Sequence, residues 1–156
     1  MAKQVGRKQL AANKKAYRDY FVLDRQEAGI ELYGTEVKSI RAGEVNLKDS
    51  YCIIKKGELF IRGMHVSPYE KGNIFNRDPD RVRRLLMHRR EIVKLQARVQ
   101  QDGMAVVPLS LYLKDGLVKV EIGVCKGKKL YDKRESDAKR SAERDIERTM
   151  KERKAR

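Results

Sequence analysis

The stretch Leu109-Ser110-Leu111-Tyr112-Leu113-Lys114-Asp115-Gly116-Leu117-Val118-Lys119-Val120-Glu121-Ile122-Gly123-Val124 decides the fold. Apolar side chains alternate at Leu109, Leu111 and Leu113, and again at Val118, Val120, Ile122 and Val124. A period of two turns one face of each run toward a core. Asp115-Gly116 between the runs suits the two left-handed positions of a tight hairpin turn. Lys119 and Glu121 fall on the opposite face of the second run, which ends at Lys126.

The pattern repeats outward from this hairpin. Ser50-Tyr51-Cys52-Ile53-Ile54 and Leu59-Phe60-Ile61 flank a Lys56-Gly57 turn and predict a second hairpin. Asp19-Tyr20-Phe21-Val22-Leu23 is rich in aromatic and β-branched residues, as strands are, and Glu27–Leu32 resumes the extended pattern after a short turn. Gly34-Thr35 opens a short helix with Thr35 as N-cap. Val37 and Ile40 lie on one of its faces, Lys38 and Arg41 on another, and Gly43 stands past its end. Asp78-Pro79 reads as an N-cap followed by proline in the first turn. Val82, Leu85, Leu86, Ile92, Val93, Leu95 and Val99 then recur at helical spacing up to Asp102-Gly103, with room for a break near Met87-His88. Six or so strands with about three helices predict a mainly β protein, a small closed antiparallel barrel or sandwich. The oligonucleotide-binding (OB) barrel is the natural candidate.

The 156 residues carry 37 Lys plus Arg against 22 Asp plus Glu, a formal charge of +15. That charge is unevenly placed. Residues 1–15, 77–98 and 127–156 are each strongly basic, whereas 16–76 and 99–126 balance. The division predicts a basic N-terminal arm (1–15), a folded body (16–126) and a basic tail (127–156). Such charge suits a polyanion. Neither terminus offers the broad Leu, Phe or Trp face of a membrane-surface helix, so nucleic acid is the expected partner. The arginines of 77–98 leave two readings open, a solvated face or an anion-facing one.

Apolar residues are 40% of the chain and charged ones 38%, enough for a core under part of the sequence only. The tail beyond Lys126 is where the core gives out. Ala138, Ala142, Ile146 and Met150 recur every fourth residue among Glu, Lys and Arg, so helix propensity is good while burial is poor. The tail is expected to be disordered when free and helical on a polyanion.

No run approaches the roughly 18 apolar residues of a membrane span, and the N-terminus lacks the apolar stretch of a secretory signal. A cytoplasmic protein is expected, with Cys52 and Cys125 as free thiols. There is no phosphate-binding loop, no dinucleotide fingerprint and no nucleophile elbow. His65 and His88 lack an obvious acidic partner in sequence, and the two cysteines lack metal-ligand spacing. No catalytic residue, metal or cofactor is expected, and the chain does not read as an enzyme. Tyr131 stands in a coreless segment among Lys128, Lys129, Lys133 and Arg134, a setting suited to stacking on an unpaired base.

Several blocks resemble the small protein B family, the bacterial partner of transfer-messenger RNA in ribosome rescue. They include Asn13-Lys14-Lys15-Ala16, Glu27-Ala28-Gly29-Ile30, Gly34-Thr35-Glu36-Val37-Lys38-Ser39-Ile40-Arg41 and Asp49-Ser50-Tyr51. Arg83-Arg84-Leu85-Leu86-Met87-His88, Val107-Pro108-Leu109-Ser110-Leu111-Tyr112 and Gly127-Lys128-Lys129-Leu130-Tyr131-Asp132-Lys133-Arg134 complete them. The resemblance implies an OB-type barrel with packed helices that binds the tRNA-like domain of transfer-messenger RNA, one copy per RNA, as a monomer. It implies an RNA-facing surface that includes Glu27, Leu86, His88 and Lys119. It further implies that the tail enters the empty mRNA channel of a stalled 70S ribosome and reaches the decoding centre of 16S rRNA. Lys128, Lys129, Tyr131, Asp132, Lys133 and Arg134 would act there. The competing reading is a structural ribosomal protein bound to ribosomal RNA.

Overall fold

The computed structural model describes residues 7–70 and 76–154, the side chains of 130–132, 136 and 149–154 excepted. Its first elements are β1 (Arg7–Ala12), α1 (Lys14–Asp19), β2 (Tyr20–Ile30), α2 (Gly34–Arg41) and β3 (Val45–Asn46). Next come β4 (Tyr51–Lys55), β5 (Glu58–Arg62), β6 (His65–Val66), β7 (Arg83–Leu86) and α3 (Arg89–Asp102). β8 (Ala105–Lys114), β9 (Leu117–Gly127) and α4 (Leu130–Lys154) complete the chain.

Both hairpins form where their turn residues predict them. Asp115 and Gly116 adopt φ of 53° and 78°, and Lys56 and Gly57 adopt 53° and 76°. These left-handed pairs match the twist of the strands they join. Every strand pairing among the described residues is antiparallel. From β8 the sheet runs through β4, β5, β7, β2 and β9 and returns to β8, so six strands close into a ring. β1 adds along the second half of β8, with Ala12 opposite Ser110 and Arg7 opposite Lys114. Residues 7–12, expected in a basic arm, thus belong to the sheet, while residues 1–6 lie outside the described residues. The short β3–β6 pair forms a separate two-stranded sheet.

The ring encloses Ile40, Leu59, Ile61, Leu85, Leu111, Val120 and Ile122, each at most 1% exposed. The alternation at Leu109, Leu111 and Leu113 does not hold as predicted. A bulge between Pro108 and Ser110 shifts the register of β8 against β9. Leu111 and Leu113 therefore join the interior, while Leu109 joins a second cluster with Ala16, Val107 and Cys125. That cluster lies under α1, whose N-cap Asn13 accepts from the Ala16 N–H at 3.2 Å and donates to the Pro108 carbonyl at 2.9 Å. A bulge re-aims one side chain without ending the strand, and here it lets one strand serve two cores.

Two further expectations are corrected. Residues 20–30 form one strand, not two segments around a turn, because a bulge between Val22 and Asp24 absorbs the polar run while pairing with β9 continues. Asp78-Pro79 opens no helix. The Asp78 carboxylate accepts from the Asp80 N–H in a tight turn, residues 83–86 then run as β7, and α3 begins only at Arg89. β7 alternates buried and exposed residues, but its first inward position is Arg83, and an inward arginine hides a strand period.

α4 is a single helix of 25 residues. Its root packs on α1, where Arg18 pairs with Asp137 at 3.1 Å and Lys133 lies 3.5 Å from Asp19. Residues 141–148 are all exposed. Ile146, one of the fourth-residue positions, is 57% exposed.

Candidate nucleic-acid interface

Gly29 organises the first surface. It is opposite Leu86 of β7 on one side and Lys119 of β9 on the other, so three strands bring these residues into one row. Directly paired residues share a face, as do residues two apart in a strand. Glu27 and Lys119 therefore stand on one outward face with Leu86, which is 47% exposed. A Cβ at position 29 would come within 3.2 Å of the Leu86 Cβ, so glycine lets β7 approach closely. His88 follows Leu86 by two residues. It is exposed at the N-cap of α3, with no side-chain capping bond.

Neighbours set the electrostatics of this row. The Tyr112 hydroxyl, on the strand flanking Lys119, donates to Glu27 Oε2, and Lys114 Nζ lies 3.5 Å from the same oxygen. The Tyr112 bond, aided by Lys114 and Lys119, holds the Glu27 carboxyl below its usual value. Burial and the Glu27 charge push the Tyr112 phenol well above its ordinary range, so the hydroxyl stays a donor. The Arg7 guanidinium lies 3.7 Å over the Tyr112 ring and donates to Glu121 at 2.9 Å. Arg25 donates to the other Glu121 oxygen at 3.1 Å. Both carboxylates of the row are thereby fixed in direction.

A buried ionic cluster positions β7 itself. Arg83, fully buried, donates to Glu36 Oε2 at 2.6 Å and to the carbonyls of Met64, Arg81 and Pro79 at 3.0, 2.9 and 3.2 Å. Glu36 Oε1 accepts from Arg81 at 2.6 Å and from the Tyr33 N–H at 2.9 Å. Burial works to raise the Glu36 pKa, but these donors outweigh it and hold the carboxyl below its usual value. Of the two readings left open for the arginines of 77–98, Arg83 fits neither, because it is internal. Arg89, Arg90 and Lys94 are exposed on α3.

The tail residues gather elsewhere. Lys119 lies near the start of β9 and Lys128 just past its end, roughly 30 Å apart along a straight strand. The Lys128 N–H donates to the Asp19 carbonyl at 2.8 Å, and its ammonium donates to the Tyr17 carbonyl at 3.1 Å and lies 4.9 Å over the Phe21 ring. Lys129 and Arg134 are exposed, and Lys133 reaches Asp19. The Tyr131 and Asp132 side chains lie outside the described residues.

Sequence reasoning missed Tyr112, Arg7, Glu36 and Arg83 as working residues. Tyr112 and Glu36 stand in the motif blocks, yet nothing in the sequence marks either as buried against a charge. His65, without an obvious acidic partner in sequence, has Asp80 at 2.9 Å. Cys125 is buried under α1, which pushes its thiol up to about 11. Among the described residues no three His, Cys, Asp or Glu side chains gather in a group that could hold a metal, and no helix is long and apolar enough to cross a membrane.

The family model described as "SmpB protein" matches residues 10–152. The SsrA-binding protein of Clostridium kluyveri is 64% identical across 94% of this chain and 93% of its own length. That of Acetivibrio thermocellus is 63% identical across 92% and 93%, and that of Clostridium tetani 60% identical across 98% of both. A solved structure described as "tmRNA-SmpB: a journey to the center of the bacterial ribosome" holds a chain that is 44% identical, with a TM-score of 0.65. The match covers 77% of this chain and 85% of that one. Family model, relatives and fold agree with the residue pattern: this chain belongs to the SmpB protein family.

Proposed function

We propose that the chain binds the tRNA-like domain of transfer-messenger RNA through the Glu27, Leu86, His88 and Lys119 face and carries that RNA to stalled ribosomes for trans-translation. The observation that carries this reading is the Gly29 register, which sets an acid, an exposed leucine and a lysine in one row. Lysine suits phosphate, an oriented carboxylate suits the amino or hydroxyl donors of a base edge or ribose, and exposed leucine suits an unstacked base. The ring functions as an OB-type barrel, a fold whose face accommodates nucleic acid.

The tail has a separate task. Lys128, Lys129, Tyr131, Asp132, Lys133 and Arg134 contact the decoding centre of 16S rRNA while the rest of residues 127–156 occupies the mRNA channel. That channel is open to a cationic segment only where mRNA is missing, which gives selectivity by exclusion. Off the ribosome α4 beyond its root exchanges between helix and coil, since exposed helices lack tertiary support. The protein acts in the cytoplasm as a monomer, one copy per RNA, and performs no catalysis.

Sequencing the RNA that copurifies with the chain tests this directly. One dominant transfer-messenger RNA is the expected outcome. A spread of ribosomal RNA would overturn the reading in favour of a structural ribosomal protein.

A further inference from the structure

A cavity of about 330 Å³ opens beside Leu86. Its walls are the β4–β5 turn (Lys56, Gly57) with Glu58 at the start of β5, β7 with Arg84 and Leu86, and the first turn of α3 with Arg89. The size is at the low end of sites that take small ligands, roughly 300–1,000 Å³. Three cations face one acid. Glu58 is taken by Arg84 at 3.3 Å, whereas Lys56 and Arg89 have no carboxylate partner among the described residues. The remaining side chains of the lining are apolar: Leu85, Leu86, Met87 and Ile92.

Lys56 is out of place by conformation alone. Its φ of 53° falls in the left-handed region that turns of this kind usually give to Asn, Asp or Gly. The other hairpin uses Asp115 at the equivalent position and the same φ. An unfavourable residue at a turn points to a use for its side chain.

We propose that this cavity seats one nucleotide of the bound RNA, its phosphate between Lys56 and Arg89 and its base or ribose on Leu86 and Met87. The inference rests on the RNA-binding reading of the Glu27, Leu86 and Lys119 face and extends that face by one subsite. Leu86 is the shared wall, so a strand lying over the row reaches the cavity without leaving the surface.

The test measures affinity of the full chain for a transcript of the tRNA-like domain across a salt series. Lys56→Ala with Arg89→Ala should weaken binding about tenfold and flatten the salt slope by about one, the share of one neutralised phosphate. Arg90→Ala with Lys94→Ala removes the same charge from α3 outside the cavity and should cost less than about threefold, within the scatter of surface charge effects. Methyl resonances of Met87 and Ile92 should shift when the transcript is added. Equal losses from both double variants, or still methyls under tight binding, would overturn the seat while leaving the RNA-binding face intact. Glu27→Gln with Lys119→Ala separates the two ideas. Unchanged affinity there, with loss in the Lys56/Arg89 variant, would remove the Glu27 face and keep the cavity as an RNA seat.

Discussion

In the ring, the guanidinium of Arg83 is completely buried, held by Glu36 at 2.6 Å and by three carbonyls. In α4, Arg144 and Arg148 sit on a helix whose residues 141–148 are all exposed. The same residue type thus builds in one region and remains available in the other. Ring charges are fixed in direction, as Glu27 and Glu121 are by Tyr112, Arg7 and Arg25. The root of the tail is attached by partly exposed pairs, Arg18 with Asp137 and Lys133 with Asp19. A fixed surface suits recognition of one folded RNA, and a long cationic helix with little attachment suits a channel.

Breaking the contrast most strongly means removing Arg83. Arg83→Met takes away the 2.6 Å donor of Glu36 Oε2, leaving the buried carboxylate to Arg81 and the Tyr33 N–H, and should cost about 3–5 kcal/mol in chemical denaturation. Arg144→Met in α4 should stay within about 0.5 kcal/mol of the parent. A small loss at Arg83 would mean that the cluster does not hold β7. Apolar residues should show the same contrast with a lesser effect. Leu111→Ala should cost about 2–5 kcal/mol through the cavity it leaves, whereas Ile146→Ala should leave the melting temperature unchanged.

How far the sequence foretold these regions depended on which side chains sit inside. Both hairpins were legible because Asp115-Gly116 and Lys56-Gly57 carry the turn in two residues. β7 was not, because Arg83 fills an inward position where the pattern of a strand needs an apolar residue, and its acid lies 47 residues away in α2. Leu109 was assigned to the wrong core because a bulge is a change of register, which no period reports. Glu27, Leu86 and Lys119 came from motif resemblance. That they share a row is a property of pairing between β2, β7 and β9, and of the missing side chain at Gly29.

Two smaller effects sharpen the comparison. Tyr112→Phe keeps the fold and frees the Glu27 carboxylate to turn. Affinity for the tRNA-like domain should fall by about three- to tenfold, the net worth of one ordinary intramolecular hydrogen bond. An unchanged affinity would mean that the direction of Glu27 is irrelevant to RNA. Asp137→Asn removes the partner of Arg18 at the tail root and should lower stability in chemical denaturation by no more than about 1 kcal/mol, the worth of a surface pair. A large loss would show the tail to be a stabilising part of the body.

The division of labour itself is tested by removing residues 130–156 and measuring affinity for the tRNA-like domain alongside tagging on stalled ribosomes. Affinity should stay within about twofold of the full chain while tagging is abolished. An affinity that fell as far as it does with Glu27→Gln and Lys119→Ala would contradict it.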